Sequence, residues 1–158
     1  LTRPEAVEQL DELMRRSVGS QLLGDVKVGW QLSGGIDSSL VTVFASAHAG
    51  ADMEAFSVVF DDARFSEDRW IGEAAAAAGT ESHRFLFSEA SFTRPLELAS
   101  WHMDQPIGHP NSLGIWLLAE QSRHRVTVLL SGEGARVTVG EPESNDVFLR
   151  VAKGFEPA

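Results

Sequence analysis

The sequence predicts an open parallel β-sheet with helices on both faces. Short apolar or β-branched runs alternate with longer amphipathic stretches from Thr2 to Leu130, the pattern of repeated βα units. One run, Met53 to Phe60, is almost continuously apolar, as a strand covered on both faces must be. Two runs end in serine-glycine turns, Leu32-Ser33-Gly34-Gly35 and Leu130-Ser131-Gly132-Glu133-Gly134. Ligands of open parallel sheets bind beyond the carboxyl ends of the strands, where such turns lie.

The elements follow in order. Thr2 to Val18 reads as an amphipathic helix: Thr2 and Glu5 have capping-box spacing, Val7, Leu10, Leu13 and Met14 recur at helical intervals, and Gly19 stops it. Val26 to Leu32 is the first strand, and Ser38 to His48 a helix ended by Gly50. Met53 to Phe60 is the second strand. Ser66 caps the next helix, with Glu67 and Asp68 in its first turn and Phe65 and Trp70 at hydrophobic-staple positions. Its alanine run, residues 74–78, is strongly helix-forming and ends at Gly79. Ser82 to Phe87 is a third strand, Ser91 to Trp101 and Ser112 to Arg123 are helices, and Val126 to Leu130 is the fourth strand. Right-handed crossovers are expected between the parallel strands. Beyond Gly134 the pattern weakens; Ser144 to Lys153 reads as a short helix with Val147, Phe148 and Val151 on one side.

At 158 residues the chain fits one domain. Its charge of −10 argues against nucleic acid and anionic membrane partners, and no apolar run approaches a membrane span. The absence of cysteine excludes disulfides, thiolate metal sites and a cysteine nucleophile, and fits a cytoplasmic location. The chain begins Leu1-Thr2-Arg3-Pro4-Glu5 without signal-peptide character or an initiating Met, as a piece of a longer chain would.

The first serine-glycine turn carries chemistry. Gly34 and Gly35 let backbone N–H groups curl around an anion, and a helix N-terminus follows at once. Ser33, Ser38 and Ser39 offer hydroxyls to phosphate oxygens. Asp37 repels bare phosphate, so beside a polyphosphate it makes sense as a ligand for a hard cation such as Mg²⁺. No lysine is near, and neither the Walker A, the G-x-G-x-x-G nor the nucleophile-elbow pattern is met. On spacing alone, a Gly-Gly strand-to-helix turn with Asp37 at the helix start stays open beside the phosphate cradle.

Ser33-Gly34-Gly35-Ile36-Asp37-Ser38 matches the S-G-G-x-D-S pyrophosphate loop of the N-type ATP pyrophosphatases, and Leu130-Ser131-Gly132-Glu133-Gly134-Ala135 resembles the L-S-G-E-G-[AS]-D-E motif in the synthetase domain of the glutamine-hydrolysing asparagine synthetases. Phe56 to Phe60, the Ser66-Glu67 helix start, His83 and Asp104-Gln105-Pro106 fall between them in that family's order. The resemblance spans Thr2 to Ala135. It implies a Rossmann-like, adenine-nucleotide α-hydrolase-like fold, lacking part of the family's domain, with residues 1–135 as the ATP-pyrophosphatase domain and 136–158 as a helical C-terminal remnant of it. It also implies ATP and Mg²⁺ as cofactors. A carboxylate, aspartate in the parent family, is adenylated with release of pyrophosphate, and ammonia then gives the amide. By the same resemblance Ser33, Gly34, Gly35, Ser38 and Ser39 grip pyrophosphate, Asp37 holds Mg²⁺, and Leu32, Val58, Ser131 and Gly132 line the adenosine. Glu133 stands beside the adenylate and the incoming ammonia. The same adenylation serves β-lactam synthetases and lasso-peptide cyclases, and a non-catalytic nucleotide-binding domain is the alternative from another class.

Two departures qualify the resemblance. The family continues Gly-Ala with Asp-Glu, its aspartate binding Mg²⁺, whereas this chain has Arg136-Val137; a stretch of the family pattern missing between Ala135 and Arg136 would explain the break. The cysteine-dependent glutaminase part is also absent, so ammonia must come from solution or from a glutaminase domain or subunit outside this chain. The oligomeric state stays open, a homo-oligomer included. Of the remaining polar residues, His83 reads as a core or surface histidine, His102, Asp104 and His109 lack regular metal-ligand spacing, and Asp61-Asp62 reads as a solvated turn.

Overall fold

The computed structural model describes residues 1–49, 53–62, 64–88, 92–109 and 111–132. Nine elements follow one another within them: α1 (Arg3–Gln21), β1 (Val28–Gln31), α2 (Ile36–Ala49), β2 (Glu54–Phe60), α3 (Asp68–Ala78), β3 (Glu81–Phe87), α4 (Thr93–His102), α5 (Asn111–Ser122) and β4 (Val128–Leu130). The four strands form one parallel sheet in the order β3-β2-β1-β4. The predicted fold class is the observed one.

Each face of the sheet has its own core. Trp30, Leu32 and Ala55 point toward α1, α2 and α3 and pack with Val18, Phe44, Ala45, Ile71 and Ala75. On the other face Phe56 meets Leu118 of α5 and Val126, with Val58, Phe85 and Leu129 packed around them. The helix α4 is tied to α5 by Arg94, whose Nη2 lies 3.1 Å from Glu120 Oε1. Trp30, Leu32, Ala55 and Phe56 are fully buried, so the central strands are apolar on both faces because both faces are covered.

Local signals account for most boundaries, and tertiary context for the corrections. The Thr2 amide donates to Glu5 Oε2 at 2.7 Å, the reciprocal bond of a capping box. Gly19 does not stop α1; the helix runs two residues further and the Leu22 amide closes it on the Gly19 carbonyl. Gly79 does stop α3, in the left-handed conformation at φ 63°. The residue at the N-cap of α3 is Glu67, while the hydroxyl of Ser66, the predicted cap, accepts from the Asp68 amide at 3.4 Å. Phe65 and Trp70, expected to staple that helix start, are both exposed and lie beneath the guanidinium groups of Arg64 and Arg69. Strand β1 is shorter than the predicted 26–32 and β4 shorter than 126–130. The boundary at residue 135 and the helix expected over 144–153 lie outside the described residues.

One buried charge was not foreseen. Glu54 opens β2, whose other residues apart from Ser57 are apolar, and is 7% exposed. At the amino ends of the strands it pairs with Lys27 and with Arg125, whose Nη1 is 2.9 Å from Glu54 Oε2. His83 Nε2 lies 2.7 Å from the same oxygen. The Lys27 hydrogen bond holds the Glu54 carboxyl below its ordinary value of 4.5; burial opposes this, and Arg125, the Lys27 charge and His83 reinforce it. A depressed carboxyl stabilises the fold fully above its unfolded value and loses that contribution as acid protonates it. Glu54→Gln should therefore lower stability in urea by about 2 kcal/mol at neutral pH, the scale of hydrogen bonds to a charged group. The gap to wild type should close as the pH falls below 4.5.

Candidate active site at the carboxyl ends of the strands

The strand order makes β1 the point where the chain changes direction across the sheet. From β1 the chain crosses to β2 on one side, and β4 later pairs with β1 on the other. Loops that follow such neighbouring strands diverge and leave a crevice at a topological switch point. Trp30 is in register with Leu130, so Leu32-Ser33 and Ser131-Gly132 leave the sheet side by side. Ser131-Gly132, the described part of the second serine-glycine turn, thus faces the same crevice as the first turn.

The turn after β1 is shaped by its own side chains. Gly34 has φ +88°, and a Cβ there would lie 3.1 to 3.3 Å from Trp70 Cβ, Glu67 O and Glu67 Cβ at the start of α3. Only glycine satisfies both the conformation and that close approach. Ser38 Oγ accepts from the Ser33 amide at 3.1 Å, meets Ser33 Oγ at 2.9 Å and donates to the Gly35 carbonyl at 3.1 Å. Ser39 Oγ donates to the same carbonyl at 2.8 Å, and the Ser39 amide does so at 3.0 Å. The Gly35 carbonyl therefore accepts three bonds inside the turn. Among the described residues, the amides of Gly34, Ile36, Asp37 and Ser38 have no hydrogen-bond acceptor. These are the orphan donors of a helix start, four N–H groups within five residues.

Gly132 completes the crevice. A Cβ there would lie 2.9 Å from the Ser38 nitrogen, 3.0 Å from the Asp37 carbonyl carbon and 3.2 Å from Ser38 Cα. The turn after β4 thus rests on the Asp37–Ser38 peptide, main chain to main chain. Leu32 is fully buried and its amide donates to the Phe56 carbonyl at 2.9 Å, so only its carbonyl is left for a ligand. Val58 is half-buried on β2, and Ser131 is exposed beside Gly132. Glu133 and Arg136 lie outside the described residues.

The donor set fits a magnesium–phosphate ligand and not a metal caged by protein alone. Among the described residues Asp37 has no hydrogen-bond or ion-pair partner, and no group of three His, Asp or Glu side chains converges. Mg²⁺ is commonly held by one or two carboxylates together with substrate phosphates, which is what one free carboxylate beside four free amides could provide. Asp62 receives the Arg64 side chain at 2.5 Å in an exposed turn, as the sequence suggested. An open hollow of about 850 Å³, lined by Leu22, Val26, Lys27, His48, Met53 and Glu54, sits at the opposite, amino end of the strands and belongs to no part of this site.

The family model described as asparagine synthase matches residues 9–136. The chain belongs to the asparagine synthase family. It is 35% identical over 157 residues to asparagine synthetase [glutamine-hydrolyzing] 1 of Bacillus subtilis, covering 95% of this chain and 24% of that protein, so that match continues beyond Arg136. It is 30% identical over 139 residues to a putative asparagine synthetase [glutamine-hydrolyzing] 2 of Methanocaldococcus jannaschii, covering 87% of this chain and 27% of that one. The chain thus spans about a quarter of the length of these asparagine synthase relatives. Among solved structures, the NH3-dependent NAD synthetase of Campylobacter jejuni superposes with a TM-score of 0.56 at 16% identity, over 85% of this chain and 60% of that one. That likeness supports the same parallel-sheet fold.

The contact at Gly132 gives a direct test. Gly132→Ala must displace backbone, and an overpacking cost of about 1–3 kcal/mol is expected from urea denaturation. Gly24→Ala, where nothing lies within 4 Å, should leave the midpoint in place.

Proposed function

We propose that this chain is the ATP-pyrophosphatase domain of an amide-forming synthetase, acting on aspartate and ammonia to make asparagine. The observation that carries the reading is the run of unoccupied amides at Gly34, Ile36, Asp37 and Ser38, beside a free Asp37 carboxylate and against Gly132. A departing pyrophosphate needs such a preorganised set of donors.

In this reading a substrate carboxylate oxygen attacks the α-phosphorus of ATP, the bond to the β-phosphate oxygen breaks, and that oxygen leaves with the electron pair. The amides of the turn and the hydroxyls of Ser33, Ser38 and Ser39 bind the leaving group; the Ser38 and Ser39 hydroxyls exchange the Gly35 carbonyl for phosphate oxygens by rotation. Asp37 would hold Mg²⁺, which when bound would supply charge neutralisation at the pyrophosphate. The Leu32 carbonyl, Val58, Ser131 and Gly132 orient the adenosine. Ammonia then attacks the acyl carbon, AMP leaves, and Glu133 takes or orients the proton lost from nitrogen. Lysine is dispensable because the terminal phosphates are not the group transferred. The ammonia source is a glutaminase part outside this chain, in keeping with the glutamine-hydrolysing relatives. A cytoplasmic location is part of the same reading; among the described residues no helix is long and apolar enough to cross a membrane.

Pyrophosphate release tests this. Release is expected with Mg²⁺, ATP, aspartate and ammonia together, and Asp37→Ala should reduce it by at least ~100-fold, as loss of a group acting on the developing charge does. Release that requires a different carboxylate would keep the adenylation and replace aspartate. ATP binding without release for any carboxylate would reduce the site to a nucleotide-binding one.

A further inference from the structure

We propose that ordered internal water occupies the layer between the sheet and α3, held by Trp30, Ser57 and Ser82. Three polar atoms, Trp30 Nε1, Ser57 Oγ and Ser82 Oγ, are buried there and have no hydrogen-bond partner among the described residues. Trp30 and Ser57 are 0% exposed. The register places all three on one face around one small residue. Trp30 pairs with Ala55 on one side, Ser82 pairs with Ala55 on the other, and Ser57 follows two residues along β2. Residues in register, or two apart on a strand, share a face. Ala55 is fully buried in the same cluster as Ile71 and Ala75 of α3, so the cover over it includes another small side chain.

The chemistry of the three groups selects the occupant. An indole N–H only donates, while each serine hydroxyl both donates and accepts. The two hydroxyls do not bond each other, and no acceptor among the described residues reaches the indole. Water has two donors and two acceptors, and internal waters usually make about three hydrogen bonds to otherwise unsatisfied groups. Left bare, each group would cost a sizeable share of a domain's small net stability. Ala55 then has a physical role: a larger side chain would fill the space that the water needs. Pyrophosphate, ATP and Asp37 play no part in this inference, so it stands or falls apart from the proposed reaction.

The sign of one substitution separates the alternatives. A hydrated Ser57 is a partner of bound water, so Ser57→Ala should lower the melting temperature of the full chain, by about 2–4 °C. A hydroxyl that is bare in the core would behave oppositely, because removing an unsatisfied buried group stabilises. An unchanged or raised melting temperature overturns the proposal, and Ser82→Ala repeats the comparison if Ser57→Ala does not fold. On the wild-type chain, water-selective NOE and ROE spectra should show a cross-peak of long-lived water to the Trp30 indole N–H, assigned by its loss in Trp30→Phe. An indole resonance with no such cross-peak overturns the proposal independently of any variant's stability.

Discussion

The turn after β4 rests on the first turn of α2, and the site depends on that contact. Gly132 can approach the Asp37–Ser38 peptide only because it has no Cβ, which would lie 2.9 Å from the Ser38 nitrogen. The contact brings two segments almost a hundred residues apart in the chain to one crevice. It follows from the strand order, because pairing β4 with the free side of β1 sets Ser131-Gly132 beside Leu32-Ser33. A second constraint acts from the other side, where Gly34 at φ +88° fits against Glu67 and Trp70 at the start of α3. The loop is therefore held between two backbone contacts that tolerate no side chain. Its amides point where they do because the strands on either side of β1 fix the loop's surroundings.

The two ends of the sheet divide the work. At the carboxyl ends, amides and the Asp37 carboxylate have no partners among the described residues, and that unpaired polarity is what a ligand can use. At the amino ends, polarity is consumed internally: Glu54 gathers Lys27, Arg125 and His83 where three strands begin. A buried carboxylate with three cationic or potentially cationic neighbours ties β1, β2, β3 and the approach to β4 together without any ligand. The same logic explains why the open hollow beside Glu54 is not the site. Its charges already have partners.

The parallel sheet was legible because both of its signals are local. Alternating apolar runs and helix-forming stretches place the elements, and serine-glycine turns mark the ligand ends of β1 and β4. Gly79 read correctly because a left-handed C-cap is a requirement of the helix itself. Gly19 misled for the same class of reason: its neighbours Met14, Val18 and Leu22 pack on the sheet and carry α1 past it, so tertiary burial outweighed propensity. Ser33, Gly34, Gly35, Asp37 and Ser38 could be named from the motif, but not that Ser38 would brace the turn from within or that Gly132 would touch Ser38. Those facts depend on β4 lying next to β1, which no local pattern states. Glu54 was missed because a single acid in an apolar strand looks like an exposed end; Lys27 and Arg125, each preceding a strand, were the available clue.

The absence of lysine near Gly34-Gly35 has a physical explanation within this arrangement. In the proposed reaction, four amides and a cation on Asp37 would suit a pyrophosphate that departs, whereas a lysine suits terminal phosphates that are transferred or cleaved. The central claim is that pyrophosphate sits at this turn. It is tested most directly by titrating the chain with magnesium pyrophosphate and following backbone amide resonances. The largest shifts are predicted at Gly34, Gly35, Ile36, Asp37, Ser38 and Gly132, with Asp37→Ala weakening the response. Shifts confined to the Lys27–Glu54 end of the sheet, or none at saturating ligand, would contradict it.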